Sequence, residues 1–155
     1  MASKVKSTTK KMPSIKTLKR NCKDLWSQIV RARDQHTCQV CGSHESLQGH
    51  HCIVTSHLGG STRYDTRNGV CLCYKCHIIM IHRGFASHDW IGRYWMKINS
   101  LVSEEIQDEI KLQSTKYFSS TNKTVHLEIR EQLQKELENI QEENAKFLAR
   151  MSDHL

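Results

Sequence analysis

Apolar residues recur at three- and four-residue intervals from Cys22 through Leu25, Trp26, Ile29 and Val30, which predicts a short helix over residues 21–33 with one buried face. The pattern then shortens. Candidate strands at 47–54 and 68–72 flank a polar loop, 59–67, whose Gly59-Gly60 pair and the polar run behind it are turn signals. A helix is expected from about Tyr74 to His82, stopping at Gly84. Another should follow Ser87, with Trp90, Ile91, Tyr94 and Trp95 as its apolar stripe. Ser103 has the character of an N-cap, with Glu104 and Glu105 at the positive end of the next helix. The last pattern, 124–151, puts Leu133, Leu137 and Ile140 on one face and spaces Glu131–Lys135 and Glu142–Lys146 as i, i+4 pairs. Trp26 and the run Trp90, Tyr94, Trp95 are read as core rather than as stacking platforms. Together these elements predict an α+β fold, with a small core over 21–100, a flexible basic arm over 1–20 and a helical C-terminal extension over 101–155.

Composition narrows the class. A chain of 155 residues has room for one compact domain with extensions. It is 37% hydrophobic with a mean hydropathy of −0.60 and has no apolar run long enough for a membrane span. The N-terminus lacks the apolar stretch of a secretory signal, so a cytoplasmic location is expected. Charge is uneven. Residues 1–20 carry seven Lys/Arg and no acid, residues 21–100 nine basic against five acidic, and residues 101–155 seven basic against eleven acidic. A basic arm on a mildly basic domain suits a nucleic-acid backbone, and charge alone fits a disordered solubilising tail equally well. The acidic helical third reads instead as a packing element, or as a surface for a homodimer or a helical partner through 124–151.

Seven cysteines, an odd number containing two CxxC pairs, fit metal binding in a reducing compartment better than a disulfide framework. Cys38-Gln39-Val40-Cys41-Gly42 and Cys73-Tyr74-Lys75-Cys76 have the spacing of one tetrahedral zinc site. Four thiolates leave no open coordination position, so this zinc is structural. Cys22, Cys52 and Cys71 are spare, with Cys71 the one plausible substitute.

Between the pairs lie Gly49-His50-His51-Cys52-Ile53 and Asp65-Thr66-Arg67-Asn68-Gly69, and His77 follows the last cysteine of Leu72-Cys73-Tyr74-Lys75-Cys76-His77. Over about residues 22–85 this order of elements resembles the His-Asn-His (HNH) endonucleases, whose core is a zinc-stabilised ββα-metal fold. The resemblance implies that His51 is the general base, that His50 and His77 hold a catalytic divalent ion such as Mg²⁺, and that Asn68 fixes the loop carrying the base. It also implies DNA as substrate, cleavage of the bond to the 3′-oxygen, and limited sequence specificity. In layout the chain is most similar to small phage proteins of recombination or packaging.

Imidazole chemistry agrees, since a base near neutral pH and a cation beside the scissile phosphate are what phosphodiester hydrolysis needs. Two positions depart from the family pattern. Cys52 stands where a bulky aliphatic is usual, and a one-residue shift of register would leave it, inactive, at the base position. His82, followed by Arg83-Gly84, resembles the end of the motif in bacterial toxin nucleases and is expected as a further ligand. It stands five residues beyond His77, about 140° around an ideal helix, and so converges only if the helix is distorted. Arg63, Arg67 and Arg83 are the candidate DNA contacts. The rival readings are a non-catalytic zinc DNA-binding module, which has no use for the histidines and Asn68 together, and a helical adaptor organised by 124–151.

Overall fold

A computed structural model describes residues 12–54 and 60–152. The basic segment up to Lys11, His57, Gly59 and His154 lie outside the described residues. Helix α1 spans Ile15–Arg33, followed by strands β1 (Leu47–His51) and β2 (Gly69–Cys73), a π-helix (Lys75–His82), and helices α2 (His88–Leu101), α3 (Glu104–Ser114) and α4 (Lys123–Ser152). The architecture is α+β, mostly helical around a two-stranded antiparallel sheet.

Helix α1 starts six residues earlier than expected, so 15–20 are helical rather than part of a flexible arm. Ser14 caps it by accepting the Thr17 N–H, and Leu18 is fully buried. That extra turn reads as basic tail because Lys16, Lys19 and Arg20 surround the one apolar position that packs. Ser87 and Ser103 cap α2 and α3 in the same way, through the Trp90 and Ile106 amides.

A two-stranded ribbon is not stable alone and must be covered. Its register pairs Gly49 with Cys71 and His51 with Gly69, which puts those four residues on one face and His50, Val70 and Leu72 on the other. On the first face lies α1, with Trp26 as its centrepiece. A Cβ on Gly49 would come 2.9 Å from the Trp26 ring, and one on Gly69 would be 2.8 Å from it and would overlap Val30 Cγ2. Glycine at both positions therefore lets the helix settle directly onto the strands. The indole N–H donates to the Asp65 carbonyl at 3.0 Å, so the ring is anchored as well as packed.

Helix α4 covers the outer side of α1. Leu133 and Leu137 join Cys22, Trp26 and Ile29 in one buried cluster, and Ile140 packs at its margin. The C-terminal extension thus completes the core. On the opposite face of the ribbon, Val70 and Leu72 pack with Trp90, Tyr94 and Ile98 of α2 and with three of the CxxC cysteines. No helix among the described residues is long and apolar enough to cross a membrane.

Near the end of α1, Arg33 donates to Asp34 (2.8 Å) and to the carbonyls of Thr66 (2.9 Å) and Gly69 (2.7 Å). Asp34 in turn accepts the Cys71 N–H at 2.7 Å, while the Cys71 carbonyl accepts from the Gln39 amide at 2.9 Å. The outer edge of β2 is thereby closed by a buried carboxylate and the first cysteine turn.

The glycine contacts yield a paired test. Gly69→Ala should lower unfolding free energy by about 1–3 kcal/mol through overpacking against α1. Gly92→Ala, on α2 with open space around it, should be neutral or stabilising by up to about 1 kcal/mol. Urea denaturation of both variants measures the difference.

Two candidate metal centres on one ribbon

The four CxxC sulfurs lie within 4.8 Å of one another, and Cys41 Sγ is 3.7 Å from Cys73 Sγ. Sulfurs about 2.3 Å from a common zinc stand roughly 3.8 Å apart in a tetrahedron, so the group could hold that ion. Backbone geometry prepares it. Gly42 has a φ of +76°, which turns the chain behind the first pair, and the Gly42 N–H donates to the Cys38 carbonyl at 2.9 Å. The Cys76 N–H points at Cys73 Sγ at 3.5 Å. Cys38 is held below the usual thiol range: burial opposes this, but backbone N–H groups of its own turn and of Cys73 outweigh it. Cys71 is not in the group; its thiol is buried beside Trp26 and pushed up to about 12 by burial.

Farther along the ribbon, ligand atoms of His50, His77 and His82 also fall within 4.8 Å of one another. The expected obstacle, the 140° between His77 and His82, is absent because residues 75–82 form a π-helix and not an α-helix. Its wider i→i+5 turn brings residues five apart much closer to one face than an α-helix does. His77 Nε2 and His82 Nε2 are 3.1 Å apart, as two nitrogens roughly 2.1 Å from one ion would be, and the His50 ring meets both edge-on. Gln48 Oε1 accepts from His77 Nδ1 at 2.6 Å, which turns Nε2 toward the group. Burial, reinforced by the neighbouring imidazoles, lowers His50 to about 3 and His77 to about 4, so both present lone pairs at neutral pH.

His51 is oriented by different neighbours. Its ring stacks on Trp26 at 4.1 Å and 7°, and its Nε2 lies 2.9 Å from the Arg63 carbonyl. A carbonyl only accepts, so Nε2 carries the proton and Nδ1 is the basic nitrogen. Burial lowers its pKa. Despite lying on neighbouring positions of the strand, His50 and His51 both line a groove of about 520 Å³ with His82. Asn68 is fully buried and staples the chain beyond His51: Oδ1 accepts from Ile53 (3.0 Å) and Val54 (3.1 Å), and Nδ2 donates to the Val54 carbonyl at 2.7 Å. Cys52, next in sequence, is held as a neutral thiol, pushed up to about 12 by burial.

The arginines differ among themselves. Arg67 is spent on carboxylates, bidentate to Asp65 (3.0 and 2.7 Å) and bonded to Glu109 of α3 at 3.0 Å. Arg63 is half-buried and takes part through its carbonyl, whereas Arg83 is exposed immediately after His82. Three participants were not singled out from sequence: Gln48, Trp26 as the support of His51, and exposed Lys23, whose charge disfavours protonation of His51 and His77. Gln48 carried a usable signal, since it stands two residues before His50 and so shares its strand face.

Two measurements follow. Purified protein should retain one zinc per chain by elemental analysis, and Cys76→Ala should lose it together with cooperative unfolding. Acid should weaken the fold below about pH 6.5, because the unfolded chain then binds protons that His50 and His77 refuse until about 3 and about 4. In urea melts of the zinc-loaded protein between pH 7 and 5.5, His50→Asn should flatten this slope; parallel slopes would remove His50 as the linked group. No protein-family model matches this chain, and no curated protein or solved structure matches it either, so what the two centres do must be read from their own geometry.

Proposed function

We propose that this protein is a metal-dependent DNA endonuclease of the HNH type, with a ββα-metal core formed by β1, β2 and the π-helix. One observation carries the reading: His51, an imidazole with a fixed tautomer, lines the same groove as His50 and His82 of a three-imidazole ligand group. A zinc-binding module without catalysis has no need of either.

His50, His77 and His82 are the residues that would hold the catalytic ion, for which Mg²⁺, Mn²⁺ or Ni²⁺ are the candidates. Such a cation, when bound, would offset charge developing on the phosphate and on the leaving oxygen. His51 Nδ1 takes the proton of the attacking water. The Arg63 carbonyl holds the protonated Nε2, and so stabilises the imidazolium that results. Trp26 and the Asn68 staple keep that ring from turning away as its charge changes. The 3′-oxygen leaves, giving a 5′-phosphate end. The four cysteines would hold zinc as a structural ion, joining the start of the ribbon to the start of the π-helix, and they take no part in the reaction. Lys23 and Arg83 are the side chains best placed for backbone phosphate, ahead of the already paired Arg67.

Supercoiled plasmid incubated with the protein and Mg²⁺, Mn²⁺ or Ni²⁺ should be nicked or linearised. His51→Ala should slow this by about 10²–10⁴-fold, the usual worth of a general base, with zinc content unchanged. Equal rates for the two proteins would exclude His51 as the base, and no cleavage with any metal would favour a binding module.

A further inference from the structure

The ligand group does not open onto a purely polar surface. Its groove is lined as well by Ile91 and Trp95 of α2 and by Met80 and Ile81 of the π-helix. The aromatic run expected to be core is split by the helix. Trp90 and Tyr94 are buried and stacked at 5.5 Å and 11°, whereas Trp95 is 44% exposed. Trp95 meets Tyr94 edge-on at 5.3 Å, and Tyr94 meets His50 edge-on at 6.2 Å, so a row of rings links Trp95 to the histidine group within the groove lining. Packing does not require Trp95 there, because the inner face of α2 is already filled by Trp90, Tyr94 and Ile98.

Size and chemistry select the occupant. A groove of about 520 Å³ is in the range of small-molecule sites and takes a nucleoside-sized body, not a duplex about two strands wide. An apolar aromatic wall receives a flat ring, while the imidazole end and exposed Arg83 suit the phosphate attached to it. In paired DNA the bases are stacked inside the helix and cannot reach such a wall. We infer that the groove seats an unpaired nucleobase beside the scissile phosphate, stacked on Trp95, and that the substrate class is DNA with an extrahelical or single-stranded nucleotide at the cleavage position. This rests on the endonuclease reading and names its substrate.

The test uses the full-length, zinc-loaded protein and two duplexes of one sequence, carrying the fluorescent adenine analogue 2-aminopurine either as a one-nucleotide bulge or in a base pair. Affinity is measured in Ca²⁺ and cleavage in Mn²⁺. The bulged duplex should bind more tightly by about 5- to 150-fold, the range expected for one base stacked on an aromatic ring, with quenching of the bulged 2-aminopurine. Trp95→Ala should abolish the preference and the quenching, and Trp95→Phe should keep most of both. Equal affinity for the two duplexes, no binding of either, or a preference that survives Trp95→Ala with zinc content intact would overturn the inference. Cutting of paired and bulged DNA alike would refute the base pocket and leave the nuclease reading standing. Preferential binding without any cleavage would do the reverse.

Discussion

A flat indole pressed against bare backbone is the contact on which the rest of this molecule depends. Trp26 can lie on the ribbon only because Gly49 and Gly69 offer no side chains there, and it is 99% removed from solvent as a result. From that position one ring performs three tasks. It is a large apolar body in the core shared by α1 and α4, its N–H secures the Asp65 carbonyl, and its face supports His51. Truncating such a side chain typically costs about 3–5 kcal/mol, and here the loss would spread from the core to the orientation of an imidazole. Stability and site geometry are therefore not separable on this face.

The opposite face combines apolar packing against α2 with chemistry-bearing side chains. Two clusters of metal-ligand residues sit at β2 and its exit, one built from thiols and one from imidazoles. The π-helix belongs to both, since Cys76 and His77 are adjacent in sequence and point to different clusters. A metal held by the thiols would thus fix the helix that carries two of the three histidines. Coupling of this kind would let so short a ribbon support a converging ligand group, because the helix would not be positioned by packing alone.

Much of this was legible in the sequence, for identifiable reasons. CxxC spacing is set by the reach of two thiolates to one ion, so the four cysteines were found by counting residues. The strands, α2, α3 and α4 announced themselves through turn residues, serine caps and period. Three features were hidden. The first turn of α1 is masked by its own lysines. Trp95 shares the stripe of Tyr94 in sequence, yet it stands one position, about 100°, off the buried face. The pairing of Arg67 with Glu109 depends on where α3 folds back, which no local pattern encodes.

The π-helix has a meaning beyond the site it serves. Adding one residue to an α-helix ordinarily rotates everything that follows by about 100° and would swing His82 away from its partners. Here the widened turn accommodates a five-residue spacing and keeps His82 beside His77. The helix acts as a buffer for a change of length. A ligand set can thus persist in space while its spacing in the chain drifts, and a search that counts four residues from His77 passes over a nitrogen that lies 3.1 Å from it.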